Sequence, residues 1–177
     1  VAGVVGFIAV FVGVSLLALG SSAPDPMVLL IRATGVCAAL MLTFVLCIGP
    51  LARYDRRWLV VLYNRRHLGV VTFLGALVHA ALVTQYYHGF GVLNPLVSLL
   101  ISNPRYDSIA GFPFESLGLI ALLILFVMAA TSHDFWNAVL GPTLWKALHM
   151  GVYWAYALIV AHIMLGAVQG ENGPIYA

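Results

Sequence analysis

The chain has 177 residues, 63% of them hydrophobic and only 8% charged, with a net charge of +2. A mean hydropathy of +1.03 excludes a soluble globular domain, where roughly 25% of residues are charged. No polar stretch is long enough to build such a domain, and no nucleic-acid partner is expected. The expected fold class is an all-α integral membrane protein, a single transmembrane domain over residues 1–177 with membrane lipid as its surroundings.

Five segments are apolar over the length needed to cross a hydrocarbon core about 30 Å thick. The first, about 1–20, reads as a span rather than a signal peptide, since it has no basic n-region and its apolar run is too long. The second, about 27–50, opens after the breaker Ala23-Pro24-Asp25-Pro26 and is expected to close at Gly49-Pro50. Cys37 and Cys47 lie within it, about 15 Å apart along a helix. That is too far for a disulfide, and both are expected to be small core residues.

The third span is about 67–88. A connection holding two Asn-Pro turn signals, Asn94-Pro95 and Asn103-Pro104, then surrounds the short apolar run LVSLLIS. Seven residues do not span, so this is an interfacial or re-entrant segment. The fourth span is about 114–131. The fifth is about 143–168, with Pro142 as a first-turn proline.

Arg53, Arg56, Arg57, Arg65 and Arg66 put five of the eight basic residues into the connection 51–66. The positive-inside rule makes this loop cytoplasmic. Span three then runs outward, span four inward and span five outward. Tyr54, Trp58 and Tyr63 mark one interface, and Tyr86 and Tyr87 the other.

Of the six histidines, His79 and His162 lie deep in spans and His149 about a turn and a half inside one. His67 and His88 flank span three, and His133 lies in a loop. Ionisable residues in hydrocarbon are costly and mark functional positions. No deep carboxylates or thiolate pairs accompany these histidines, so imidazoles on two helices suit an axially ligated haem. The alternatives are a structural hydrogen bond or a proton relay.

Small residues near the histidines offer room for a flat ring. Gly151 and Ala155 share a face with His162, and Gly75 and Ala76 precede His79. Ordinary close packing explains them equally well. His149 and His162 are thirteen residues apart, a rise of about 20 Å. On an ideal helix their side chains diverge by about 140°, so the helix is expected to kink or the two to face different neighbours.

"RRHLGVVTFLGALVHA" (65–80) and "TSHDFWNAVLGPTLWKALHMGVYWAYALIVAH" (131–162) resemble the ferric reductase-like transmembrane domain family. The nearest likeness is to the haem-binding membrane branch of bacterial methionine sulfoxide reductase systems. Arg65, Arg66, Leu68, Gly69 and His79 repeat one motif of that branch. Thr131, Ser132, Leu140, Gly141, Trp145, Leu148, His149, Tyr153 and His162 repeat another, and "GPLAR" (49–53) resembles the end of the family's preceding helix. The likeness covers about residues 30–165.

The resemblance implies a b-type cytochrome subunit of the bacterial inner membrane, with His79, His149 and His162 as axial ligands of one or two haems b. The family bundle usually has six helices, against about five here. Its relatives among the NADPH oxidases place two histidines on each of two helices. Here span three has one deep histidine, which leaves His67 and His88 as the candidate extra ligands. Arg32, Arg65 and Arg66 are candidate propionate partners, with headgroup contact as the alternative. Trp154 and Tyr156 read as core residues or as an electron path, and Glu115 as an interface residue, with proton uptake or quinone binding as the alternative.

No flavin- or NADPH-binding domain lies within the 177 residues. Electrons are therefore expected from a partner, a cytoplasmic flavin reductase or quinol, and are passed to a partner acceptor within a larger complex. A quinol-oxidising cytochrome b subunit and a non-redox membrane protein are the alternative functions.

Overall fold

The computed structural model describes residues 2–19, 25–102 and 105–171. The turn signal Asn103-Pro104 and part of the breaker before Asp25 lie outside the described residues. Among those described, the regular elements are helices: α1 (Ala2–Leu19), α2 (Pro26–Tyr54), α3 (Leu59–Tyr63), α4 (Arg65–Val83), α5 (Pro95–Ile101), α6 (Phe114–Ala130), α7 (Asp134–His149) and α8 (Gly151–Glu171). The all-α membrane architecture is as expected. Pro26–Tyr54, Arg65–His88 and Asp134–Ala167 are long and apolar enough to cross a membrane, and Val5–Leu17 and Phe114–Ala130 are shorter apolar helices.

Local chemistry sets the helix ends. Asp25 accepts the Met27 N–H at 2.7 Å and Pro26 occupies the first turn, so α2 begins with a capped, preformed turn. It does not stop at Gly49-Pro50 but runs on to Tyr54 with Pro50 inside it. The proline removes one backbone donor near the exposed end of the helix, and the Asp55 N–H still closes the last turn on the Leu51 carbonyl at 2.9 Å. Asn94 caps α5 in the same way as Asp25, accepting the Leu96 N–H at 3.0 Å with Pro95 behind it. The run LVSLLIS is therefore a short helix.

A kink lies just before the fifth expected span. Gly141 takes φ +73°, and Pro142 restarts the helix. A residue before proline is pushed out of the α region, and glycine does this at least cost. At Met150, between α7 and α8, the backbone stays in the α region (φ −66°, ψ −17°) and its N–H still reaches the Lys146 carbonyl at 3.0 Å. His149 turns to Trp145 on its own helix and His162 to Phe114 on α6, so the two face different neighbours, one of the two outcomes their spacing allowed.

The chain forms two compact units, Val1–Tyr86 and Tyr87–Ala177. In the first, α2 and α4 run antiparallel, with Gly35 against His79, Ala38 against Gly75 and Gly49 against Arg65. In the second, α6 and α8 pair likewise, with Phe114 against Gly166, Gly118 against His162 and Ile124 against Gly151. Gly75 and Gly151 thus serve helix packing, as small residues do in membranes.

The most extensive buried stripe is on α2. It holds Ile31, Thr34, Cys37, Ala38, Leu42, Val45 and Ile48. Cys37 is buried as expected, but Cys47 is exposed and so is not a core residue. Trp154, expected in the core, is 73% exposed, because it points away from the α6 face of α8. Large apolar side chains such as Leu17, Leu74, Val78, Leu123 and Phe126 are also exposed, which suits lipid rather than water as solvent.

Ala33 is fully buried, so Ala33→Leu is expected to cost about 1–3 kcal/mol by overpacking. The exposed Leu40→Ala should stay within about 0.5 kcal/mol. Equilibrium unfolding in detergent checks both.

Candidate functional site

The membrane histidines are held in different ways. His79 on α4 places Nδ1 2.9 Å from the Ile31 carbonyl on α2. A carbonyl only accepts, so Nδ1 carries the proton and Nε2 carries the lone pair. The Thr34 hydroxyl also donates to this carbonyl, at 2.9 Å. Gly35 lies against the ring, where a Cβ would stand 2.8 Å from His79 Cε1.

His162 on α8 donates from Nδ1 to the Phe114 carbonyl on α6 at 2.8 Å. A Cβ on Gly118 would stand 2.9 Å from its Nδ1. The Phe114 ring lies tilted against the imidazole at a centroid distance of 5.4 Å. His162 is thus fixed on both sides by one short segment of α6.

His149 is held by its own helix. Its Nδ1 donates to the Trp145 carbonyl at 3.0 Å, and its ring stacks on the Trp145 indole at 3.8 Å. That indole is anchored in turn, because Nε1–H donates to the Thr131 carbonyl at 2.9 Å. His149 Nε2 is buried and makes no hydrogen bond to the described residues.

The other three histidines have other surroundings. His88 ends a π-helical turn, Thr84–His88, and is 6% exposed. Its Nδ1 meets the Ser98 hydroxyl at 2.9 Å. Its Nε2 faces Glu115 Oε2 at 3.6 Å, too long for a hydrogen bond but close enough for an ion pair when the ring is protonated. Ser102 donates to the same Glu115 oxygen. Glu115 is therefore part of a polar cluster with His88, Ser98 and Ser102, rather than only an interface residue. His67 is exposed. His133 caps α7, its Nδ1 accepting the Phe135 N–H at 3.1 Å.

Among the arginines, Arg65 is half-buried beside Gly49, where a Cβ would stand 3.8 Å from its Nη1. Arg32 and Arg66 are exposed on α2 and α4. Among the described residues no three of His, Cys, Asp and Glu come together as a metal-binding group. The ligand chemistry on offer is single imidazoles.

Sequence reasoning missed Gly35 and Gly118, because it sought small residues on the histidines' own helices. The signal lay on the partner helices, where each glycine follows an acceptor carbonyl by one turn.

Apolar helices with imidazoles clamped against neighbouring carbonyls define a class: membrane helix proteins that present histidine nitrogens within their spans. A family model described as "Ferric reductase like transmembrane component" matches residues 34–160, and the chain belongs to that family. A curated relative, the protein-methionine-sulfoxide reductase heme-binding subunit MsrQ of Salmonella paratyphi B, is 32% identical over 145 residues. The match covers 82% of this chain and 67% of the relative. The proteins of that name from Salmonella newport and Salmonella heidelberg match to the same extent. No solved structure matches.

Trp145→Phe should keep the stacked ring beside His149 and lose the bond to Thr131. A cost of about 1 kcal/mol is expected, against about 3–5 kcal/mol for Trp145→Ala, which removes the ring as well. Unfolding in detergent distinguishes them.

Proposed function

We propose that the chain is a membrane b-type cytochrome subunit that passes electrons across the bilayer through bis-histidine haem. The observation that carries this reading is the pair of clamped imidazoles, His79 and His162. In each, the N–H is given to a helix carbonyl and the other nitrogen keeps its lone pair. Metal-ligating histidines have this second bond, which fixes the tautomer and raises ligand basicity. The buried Nε2 of His149, without a hydrogen bond from the described residues, fits a third ligand. Family membership and the haem-binding name of the relatives support the same cofactor.

Haem, when bound, supplies one-electron chemistry, and its axial ligands and burial tune the potential. The protein's residues do the rest. His79, His149 and His162 ligate, the carbonyls of Ile31, Phe114 and Trp145 hold their rings, and the apolar helices keep water out. Arg65 is the favoured propionate partner, being half-buried within the first unit. His88 is engaged by Ser98 and Glu115 and His67 is exposed, so neither serves as a ligand in this reading. The arginine-rich segment 51–66 faces the cytoplasm of a bacterial inner membrane. A cytoplasmic reductase or quinol feeds electrons in, and a partner protein across the membrane receives them.

A reduced-minus-oxidised spectrum with haem quantification per chain tests the proposal, with one or two haems b expected. His79→Ala, His149→Ala and His162→Ala should each lose haem, while His67→Ala and His88→Ala should retain it. A purified chain without haem would sink the reading and leave the ring–carbonyl bonds as helix locks.

A further inference from the structure

The two clamps share one design. In the first unit the acceptor carbonyl is Ile31, the glycine is Gly35 four residues on, and the histidine is His79, 48 residues after the carbonyl. In the second the carbonyl is Phe114, the glycine is Gly118 four residues on, and the histidine is His162, again 48 residues after the carbonyl. In both, the carbonyl and glycine sit on one helix, and the histidine sits on its antiparallel partner.

The glycines face the rings themselves. A Cβ on Gly35 would meet His79 Cε1, Nδ1 and Nε2 at 2.8, 3.0 and 3.3 Å. A Cβ on Gly118 would meet His162 Nδ1, Cε1 and Cγ at 2.9, 3.0 and 3.4 Å. An alanine at either site therefore collides with an imidazole rather than with a helix backbone. The ring would have to swing, and its Nδ1–H would leave the carbonyl one turn away. Gly69 on α4 shows the contrast, with nothing within 4 Å of an added Cβ.

We propose that Gly35 and Gly118 are positioning residues for the axial imidazoles. Each leaves its ring room to lie flat on the helix surface, so that Nδ1–H reaches the carbonyl and Nε2 is aimed as a ligand. The inference rests on reading His79 and His162 as haem ligands. It goes beyond that reading by assigning their orientation to two glycines that touch no ligand atom of their own.

The test uses the full-length chain purified with its haem, comparing Gly35→Ala, Gly118→Ala and Gly69→Ala. Three quantities are read: haem transfer to an acceptor globin, the low-spin ferric EPR signal and the midpoint potential. Loss of a ring-holding partner weakens metal affinity roughly 10–100-fold, and a loss of that order is expected in Gly35→Ala and Gly118→Ala. A shifted EPR signal and potential for the retained haem should accompany it, with Gly69→Ala unchanged. Wild-type affinity, EPR signal and potential in both clamp variants would overturn the inference while the haem reading stands. A wild-type chain without haem would overturn the reading itself.

Should a glycine variant fail to accumulate, the pairs Gly35→Ala/His79→Ala and Gly118→Ala/His162→Ala decide. Accumulation of the double variant to the level of His79→Ala or His162→Ala alone identifies the ring as the obstacle and supports the assignment. Accumulation below that of the histidine single variant assigns the glycines to helix packing and overturns it.

Discussion

An imidazole in hydrocarbon must find an acceptor for its N–H inside the protein, because lipid provides none. Much of the arrangement follows from how that need is met. A helical carbonyl already accepts one bond from its own helix, but it has a second lone pair. At Ile31 and Phe114 that lone pair takes the N–H of a histidine from the neighbouring helix. The bond is short only where the two helices come close, and closeness requires a residue without a side chain beneath the ring. Carbonyl, glycine and histidine are one constraint seen from three sides.

His149 shows what changes when the acceptor is local. Its ring bonds the carbonyl one turn back on α7 and leans on Trp145, whose indole is anchored to the Thr131 carbonyl. That helix is kinked two turns earlier, at Gly141. The π-helical turn that ends in His88 is a second irregularity beside a buried histidine. Departures from regular winding let side chains leave the faces that an unbroken helix would impose.

The membrane character and most of the helices were legible in the sequence, because hydropathy over some twenty residues is a strong signal. The deep histidines were legible for the same reason, as they stand out against apolar neighbours. Helix ends were less so. Pro50 looked like a stop and lies inside α2, because one lost donor near an exposed end is tolerated. Trp154 and Cys47 looked like core residues, since in lipid an apolar side chain is equally at home outside. Glu115 looked like an interface residue, and its place beside His88, Ser98 and Ser102 depends on three separate segments meeting.

The sequence by itself determined that this chain lives in a membrane as a helical bundle and that His79, His149 and His162 lie within its spans. Composition and periodicity are local properties, and they suffice for that. Only the tertiary structure decided which nitrogen of each ring keeps its lone pair and which glycines lie against the rings. It also decided which histidine is tied to a carboxylate instead. Those outcomes depend on contacts between helices many residues apart, and no local pattern of hydrophobicity encodes the distance between a ring and a carbonyl on another helix.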